Sequence, residues 1–175
     1  DTLTLSGEEG WCVEAAARAA KAGWSVERTL DLLRRVRAAS NTLYTLPSLK
    51  YLIHGGRISH IKGLLASVLR IKPLIGVDKE TGKYYERAKM RTFSRAVEKI
   101  AEIVAETFAP GTPMRVQVMH ADNMSGAEQL RESFDRTFDC TWLPVGSIAP
   151  VLGAHTGPGL VGAVYAPLSD YPTLP

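Results

Sequence analysis

Lys72-Pro73-Leu74-Ile75-Gly76-Val77-Asp78-Lys79-Glu80-Thr81-Gly82-Lys83-Tyr84-Tyr85-Glu86-Arg87-Ala88-Lys89-Met90 is the stretch on which the fold turns. Lys72 to Val77 is a short apolar strand entered through a proline. Asp78 to Gly82 is a hairpin turn in which Gly82 supplies the positive φ a tight loop needs, and Lys83 to Met90 returns as a second strand. Thr92 then caps a long helix whose apolar face runs Phe93, Val97, Ile100, Ile103, Val104 and Phe108, until Pro110-Gly111-Thr112-Pro113 breaks it. A hairpin leading straight into an amphipathic helix means a sheet with a helix lying on it.

The same alternation extends in both directions. Downstream, Arg115 to His120 is a strand, Ser125 caps a helix to about Phe138, and Thr141 to Val145 is another strand. A glycine-rich loop, Gly153 to Gly159, precedes a final apolar strand from Leu160 to Ala166. Upstream, Asp1 to Ser6 alternates as a half-buried strand and Ser6-Gly7-Glu8-Glu9-Gly10 turns the chain. Trp11 to Ala22 is an alanine-rich helix closed by Gly23. Ser25 caps a second helix, Thr42 to Leu46 is a strand, Leu49 to Ile53 is a short helix ending at Gly55-Gly56, and Ile58 to Leu69 is helical. The fold class is α/β (α+β). The change of character at Arg37-Ala38-Ala39-Ser40-Asn41 places a domain boundary there, dividing residues 1–40 from 41–175.

With 175 residues the chain is long enough to bury a core without staples or metals. Its 45% apolar and 22% charged content excludes disordered, collagen-like and coiled-coil classes. No apolar run reaches the roughly 20 residues of a spanning helix. The net charge of +3 comes from bases interleaved with acids, which disfavours nucleic acid as a partner. Cys12 and Cys140 fit no CxxC spacing and read as two free thiols of a cytoplasmic protein.

Two segments carry candidate chemistry. In His54-Gly55-Gly56-Arg57-Ile58-Ser59 the paired glycines allow close backbone approach and Arg57 offers a bidentate fork to carboxylate or phosphate; the plainer reading is a helix C-cap followed by a solvated arginine. In His155-Thr156-Gly157-Pro158-Gly159 a rigid path follows an imidazole and a hydroxyl that together suit an anion, against the alternative of a simple connecting turn. Lys89 and Arg91 stand at a strand end beside a helix start. His120-Ala121-Asp122 resembles half of a catalytic arrangement, so a hydrolase or phosphotransferase using His120, Asp122 and His155 is one alternative, although no GxSxG accompanies it. A ligand-free structural module is another. HExxH, GxxxxGK[ST] and GxGxxG are all missing from the sequence, so neither a metal nor a cofactor is expected.

Tyr51-Leu52-Ile53-His54-Gly55-Gly56-Arg57-Ile58-Ser59, Lys72-Pro73-Leu74-Ile75, Lys89-Met90-Arg91 and His155-Thr156-Gly157-Pro158-Gly159, in this order and at these intervals, resemble the bacterial DegV family of fatty-acid-binding proteins. The family's N-terminal Thr-Ser…Leu-Ser-Gly-Thr stretch has no counterpart, and Ser6 to Gly10 is more acidic than the family's glycine-rich version. The resemblance therefore implies the C-terminal portion of such a protein: the end of a first α/β domain, then a second domain with a mixed sheet flanked by helices. It also implies a long-chain fatty acid held between two domains and presented to a partner fatty acid kinase. In that picture His155 and Thr156 sit at the carboxylate, Arg57 and Arg91 serve the partner or the phosphate, and the chain itself catalyses nothing. In such a portion the exposed half-tunnel is expected to be an apolar patch that a second copy of the chain covers as a homodimer.

Overall fold

The computed structural model describes residues 1–56 and 71–175. The hairpin forms as its turn residues require. Strands β2 (Lys72–Val77) and β3 (Tyr84–Met90) pair antiparallel, with Gly82 at φ +67° and the Asp78 carboxylate accepting from the Thr81 N–H (2.8 Å). Thr92 caps α4 (Phe93–Ala105), its hydroxyl accepting from the Arg95 N–H at 3.3 Å. With β1 (Asn41–Thr45), β4 (Pro113–His120), β5 (Asp139–Trp142), β6 (Gly146–Ser147) and β7 (Val161–Pro167) these strands form one seven-stranded mixed sheet. Its order is β3-β2-β1-β7-β4-β5, with β6 continuing parallel to β4. The α/β class expected from the alternation is the class observed.

Side chains alternate across a strand, so each face of this sheet has its own cover. Leu43, Val116, Val118, Ala163 and Tyr165 pack under α4 and α5 (Met124–Asp135). On the opposite face, Val164 and Ala166 meet α1 (Ser6–Lys21) and α2 (Val26–Ala39) through Trp11, Ala15, Leu32 and Val36. Further along that face, Tyr44, Ile75 and Leu160 pack with Leu46, Leu49 and with Leu52 of α3 (Lys50–His54). One face is thus covered continuously and the other by two separate groups of helices. Cys12 is buried and Cys140 half-buried, both free; burial, then Asp135 and Asp139, push the Cys140 thiol up to about 12.

Four local expectations change. The first five residues form no strand: Leu3 and Ser6 have φ of +51° and +57°, which extended backbone excludes. The helix expected from Trp11 starts at Ser6 instead, because Glu8 and Glu9 favour the positive first turn and Glu8 is pinned there by the Ser40 and Thr42 hydroxyls (3.2 and 2.6 Å). Asn123, not Ser125, caps α5, accepting from the Gly126 N–H at 3.0 Å. The Gly153–Gly159 segment is not a loop throughout: Pro150 opens a helix, α6 (Pro150–Thr156), that ends at Gly157 with φ +76°. The helix expected over Ile58 to Leu69 lies outside the described residues. Ser25 does cap α2, accepting from the Arg28 N–H at 3.3 Å.

Candidate functional site

A narrow apolar cleft opens on the second face, in the gap between its two helix groups. Its floor is Thr42 and Tyr44 of β1, Met119 of β4 and Gly162 and Val164 of β7. Leu5 and Ser6 close one side, and Ile148, Leu152, Thr156 and Leu160 the other. The register orders it. Thr42 stands opposite Val164 and Tyr44 opposite Gly162, so the cleft runs along β7 from the start of α1 to the end of α6. Gly7 is required at the first end, since a Cβ there would lie 2.9 Å from the Val164 side chain. The lining is almost wholly apolar, as an alkyl chain requires.

Thr156 is the predicted site residue that lines this cleft. It is buried in the last turn of α6, and its Oγ1 donates to the Leu152 carbonyl at 3.1 Å. His155 lines a different opening, with Lys50, Tyr51, His54, Gly55 and Ala154 between α3 and α6; its Nδ1 is shielded from solvent and makes no hydrogen bond. Two glycines fix this pair of helices. A Cβ on Gly55 would overlap the His155 ring, and a Cβ on Gly157 the Tyr51 ring. Adjacent in sequence, His155 and Thr156 therefore serve different cavities. Arg91 is exposed in the turn between β3 and α4 and does not line the cleft, and Arg57 lies outside the described residues. His120 is buried, and its Nδ1 accepts from the Asn123 N–H (3.1 Å), which makes it part of the α5 cap. Asp122 is exposed at φ +48°. Among the described residues no group of three or more His, Cys, Asp and Glu is placed to hold a metal, and no helix is long and apolar enough to cross a membrane.

Sequence reading missed Ser6, Glu8 and Lys79, all assigned to turns. Glu8 is a buried carboxylate beside the cleft. Lys79 reaches back from the hairpin to close α2, donating to the Arg37 and Ala38 carbonyls (2.9 and 3.1 Å) and to that of Ser40. Burial pushes the Lys79 ammonium pKa down and the nearby Glu8 charge opposes that shift. The signal for Glu8 was present: an acid in a first helical turn, with hydroxyl residues at Ser40 and Thr42 awaiting an acceptor.

A seven-stranded mixed sheet with helices on both faces and an apolar cleft along one of them defines a two-sided α/β protein. The chain belongs to the DegV family: the family model described as "Uncharacterised protein, DegV family" matches residues 1–168. A DegV domain-containing protein of Deinococcus radiodurans is 32% identical over 95% of this chain, which spans 58% of that relative's length. Among solved structures, a fatty acid binding DegV family protein from Streptococcus agalactiae superposes with a TM-score of 0.78 at 26% identity, over 95% of this chain and 58% of its own. A Streptococcus pneumoniae Fatty Acid Kinase (Fak) B3 protein loaded with linoleic acid shares the fold, with a TM-score of 0.75 at 20% identity over 95% of this chain and 58% of its own.

Proposed function

We propose that this chain binds one long-chain fatty acid in the cleft between α1 and α6 and presents its carboxyl group to a fatty acid kinase, acting in the cytoplasm as a carrier while the kinase performs the chemistry. The observation that carries the reading is the apolar cleft with the Thr156 hydroxyl at one end. On this reading residues 1–40 are the end of a first domain and 41–175 the second, so the ligand lies where the two meet. The acyl chain lies along β7. The carboxylate leaves the cleft at the end of α6 toward the adjoining opening between α3 and α6, where the Thr156 hydroxyl hydrogen swings to it from the cleft side and His155, which lines that opening, adds a ring N–H from the other. A carboxylate drawn out of water needs such donors, because an unpaired buried charge costs several kcal/mol. The motifs shared with the family carry the kinase part of the reading, with Arg57 and Arg91 receiving the partner or the phosphate through planar, permanently charged forks.

Thr156→Ala and His155→Ala are expected to weaken acyl retention by ~1–3 kcal/mol each, as for a lost buried hydrogen bond. Equilibrium dialysis against labelled oleate measures this, with Arg91→Ala as the control that keeps its lipid but slows acyl phosphate formation by the kinase. Unchanged retention in both Thr156→Ala and His155→Ala removes these residues from the carboxylate.

The same reading includes self-association. Val13 of α1 and Val26 and Leu30 of α2 stand exposed (62%, 72% and 46% exposed), apolar side chains that a second copy would cover. Light scattering is expected to give the mass of a dimer, and a clean monomer at high micromolar concentration sinks this part.

A further inference from the structure

Resting on the fatty-acid reading, we propose that the cleft selects an acyl chain bearing a hydroxyl group in mid-chain, with Ser6 as the side chain that recognises it. The cleft is apolar almost throughout, and its polar lining groups differ in one respect. Thr156 Oγ1 is engaged with the Leu152 carbonyl and Thr42 Oγ1 with the Glu8 carboxylate (3.1 and 2.6 Å). Ser6 Oγ is shielded from solvent and makes no hydrogen bond. A buried hydroxyl left without a partner costs free energy in the empty protein, and a ligand group that satisfies it recovers that cost. Ser6 is also held at φ +57°, outside the ordinary range for a residue with a side chain, so the backbone places this hydroxyl against local preference.

The surroundings decide what Ser6 meets. Glu8 stands behind Thr42 at the same end of the cleft, and a second carboxylate there would face a like charge. A neutral oxygen faces no such penalty, and a hydroxyl can both accept from Ser6 and donate to it. The acid head group belongs at the other end, beside Thr156. The floor between them spans the five residues from Leu160 to Val164, roughly 13 Å of extended strand. A substituent reaching Ser6 while the carboxylate lies at Thr156 therefore sits well along the chain rather than next to the head group. Sites built to hydrogen-bond a ligand hydroxyl discriminate strongly against the analogue without it.

Titration of the delipidated chain with stearic, 2-hydroxystearic and 10-hydroxystearic acids tests this. The 10-hydroxy acid is expected to bind at least about fivefold more tightly than stearic acid, the 2-hydroxy acid no better than stearic acid, and Ser6→Ala to erase the difference between the 10-hydroxy acid and stearic acid. The isomer series on the unaltered chain stands alone if Ser6→Ala does not fold. Equal affinity for stearic and 10-hydroxystearic acids overturns the proposal and leaves the fatty-acid reading intact; failure of all three acids to bind overturns both.

Discussion

Gly157→Ala is expected to lower the unfolding free energy by about 3–5 kcal/mol. Gly157 closes α6 at φ +76° and ψ 174°, a region essentially reserved for glycine, so any side chain pays backbone strain there. The added methyl would also overlap the Tyr51 ring on α3. Relief by separating α3 and α6 would displace Thr156 from the cleft and His155 from Gly55. Loss of stability and loss of acyl binding should therefore appear together. Combining Gly157→Ala with Tyr51→Ala removes the overlap but not the strain, so the double variant recovers only part of the loss. Urea denaturation of the three variants measures it. A loss below about 1 kcal/mol for Gly157→Ala would mean that the end of α6 is not fixed in this way.

Glu8→Ala carries the second large expected effect, again about 3–5 kcal/mol. Its carboxylate is buried, accepts from the Ser40 and Thr42 hydroxyls, and supports the partly buried Lys79 ammonium, which closes α2. Removing it orphans two buried donors and leaves a partly buried cation without its nearest counter-charge. Glu8→Gln retains one acceptor and should cost markedly less, while Lys79→Met should release the hairpin from α2 without disturbing Thr42. Thermal melts of the three variants give the ranking Glu8→Ala worst, with Glu8→Gln intermediate. Equal melting temperatures for Glu8→Ala and the unaltered chain would show that the buried carboxylate is dispensable.

The parts of the fold that could be read from sequence are those fixed by neighbours in the chain. Asp78 to Gly82 makes its own turn, Thr92 makes its own cap, and the 3.6-residue spacing from Phe93 to Val104 needs no knowledge of the sheet beneath it. What escaped was decided by distant contacts. Ser6 to Gly10 reads as a turn until Ser40 and Thr42 are seen to hold Glu8 inside the first turn of α1. His155 to Gly159 reads as a loop because α6 is only seven residues long and leans on Tyr51, about a hundred positions away in sequence. The site divides in the same way. Thr156 was identified from its motif and does line the cleft, whereas Ser6, Thr42 and Met119 reach it only through the register of β1, β4 and β7. Arg91 shows the reverse: a position conspicuous in sequence that the fold leaves at the far edge strand, away from the cleft.

Native mass spectrometry of the purified chain, with the released ligand identified in its organic extract, tests the central claim most directly. One long-chain fatty acid per chain is expected, acquired in the cell or on incubation with oleate, and lost in Leu152→Trp, where an indole fills the cleft beside Thr156. A folded chain that takes up no fatty acid at saturating oleate, or a Leu152→Trp variant that carries it as well as the unaltered chain, would contradict the placement of the ligand between α1 and α6.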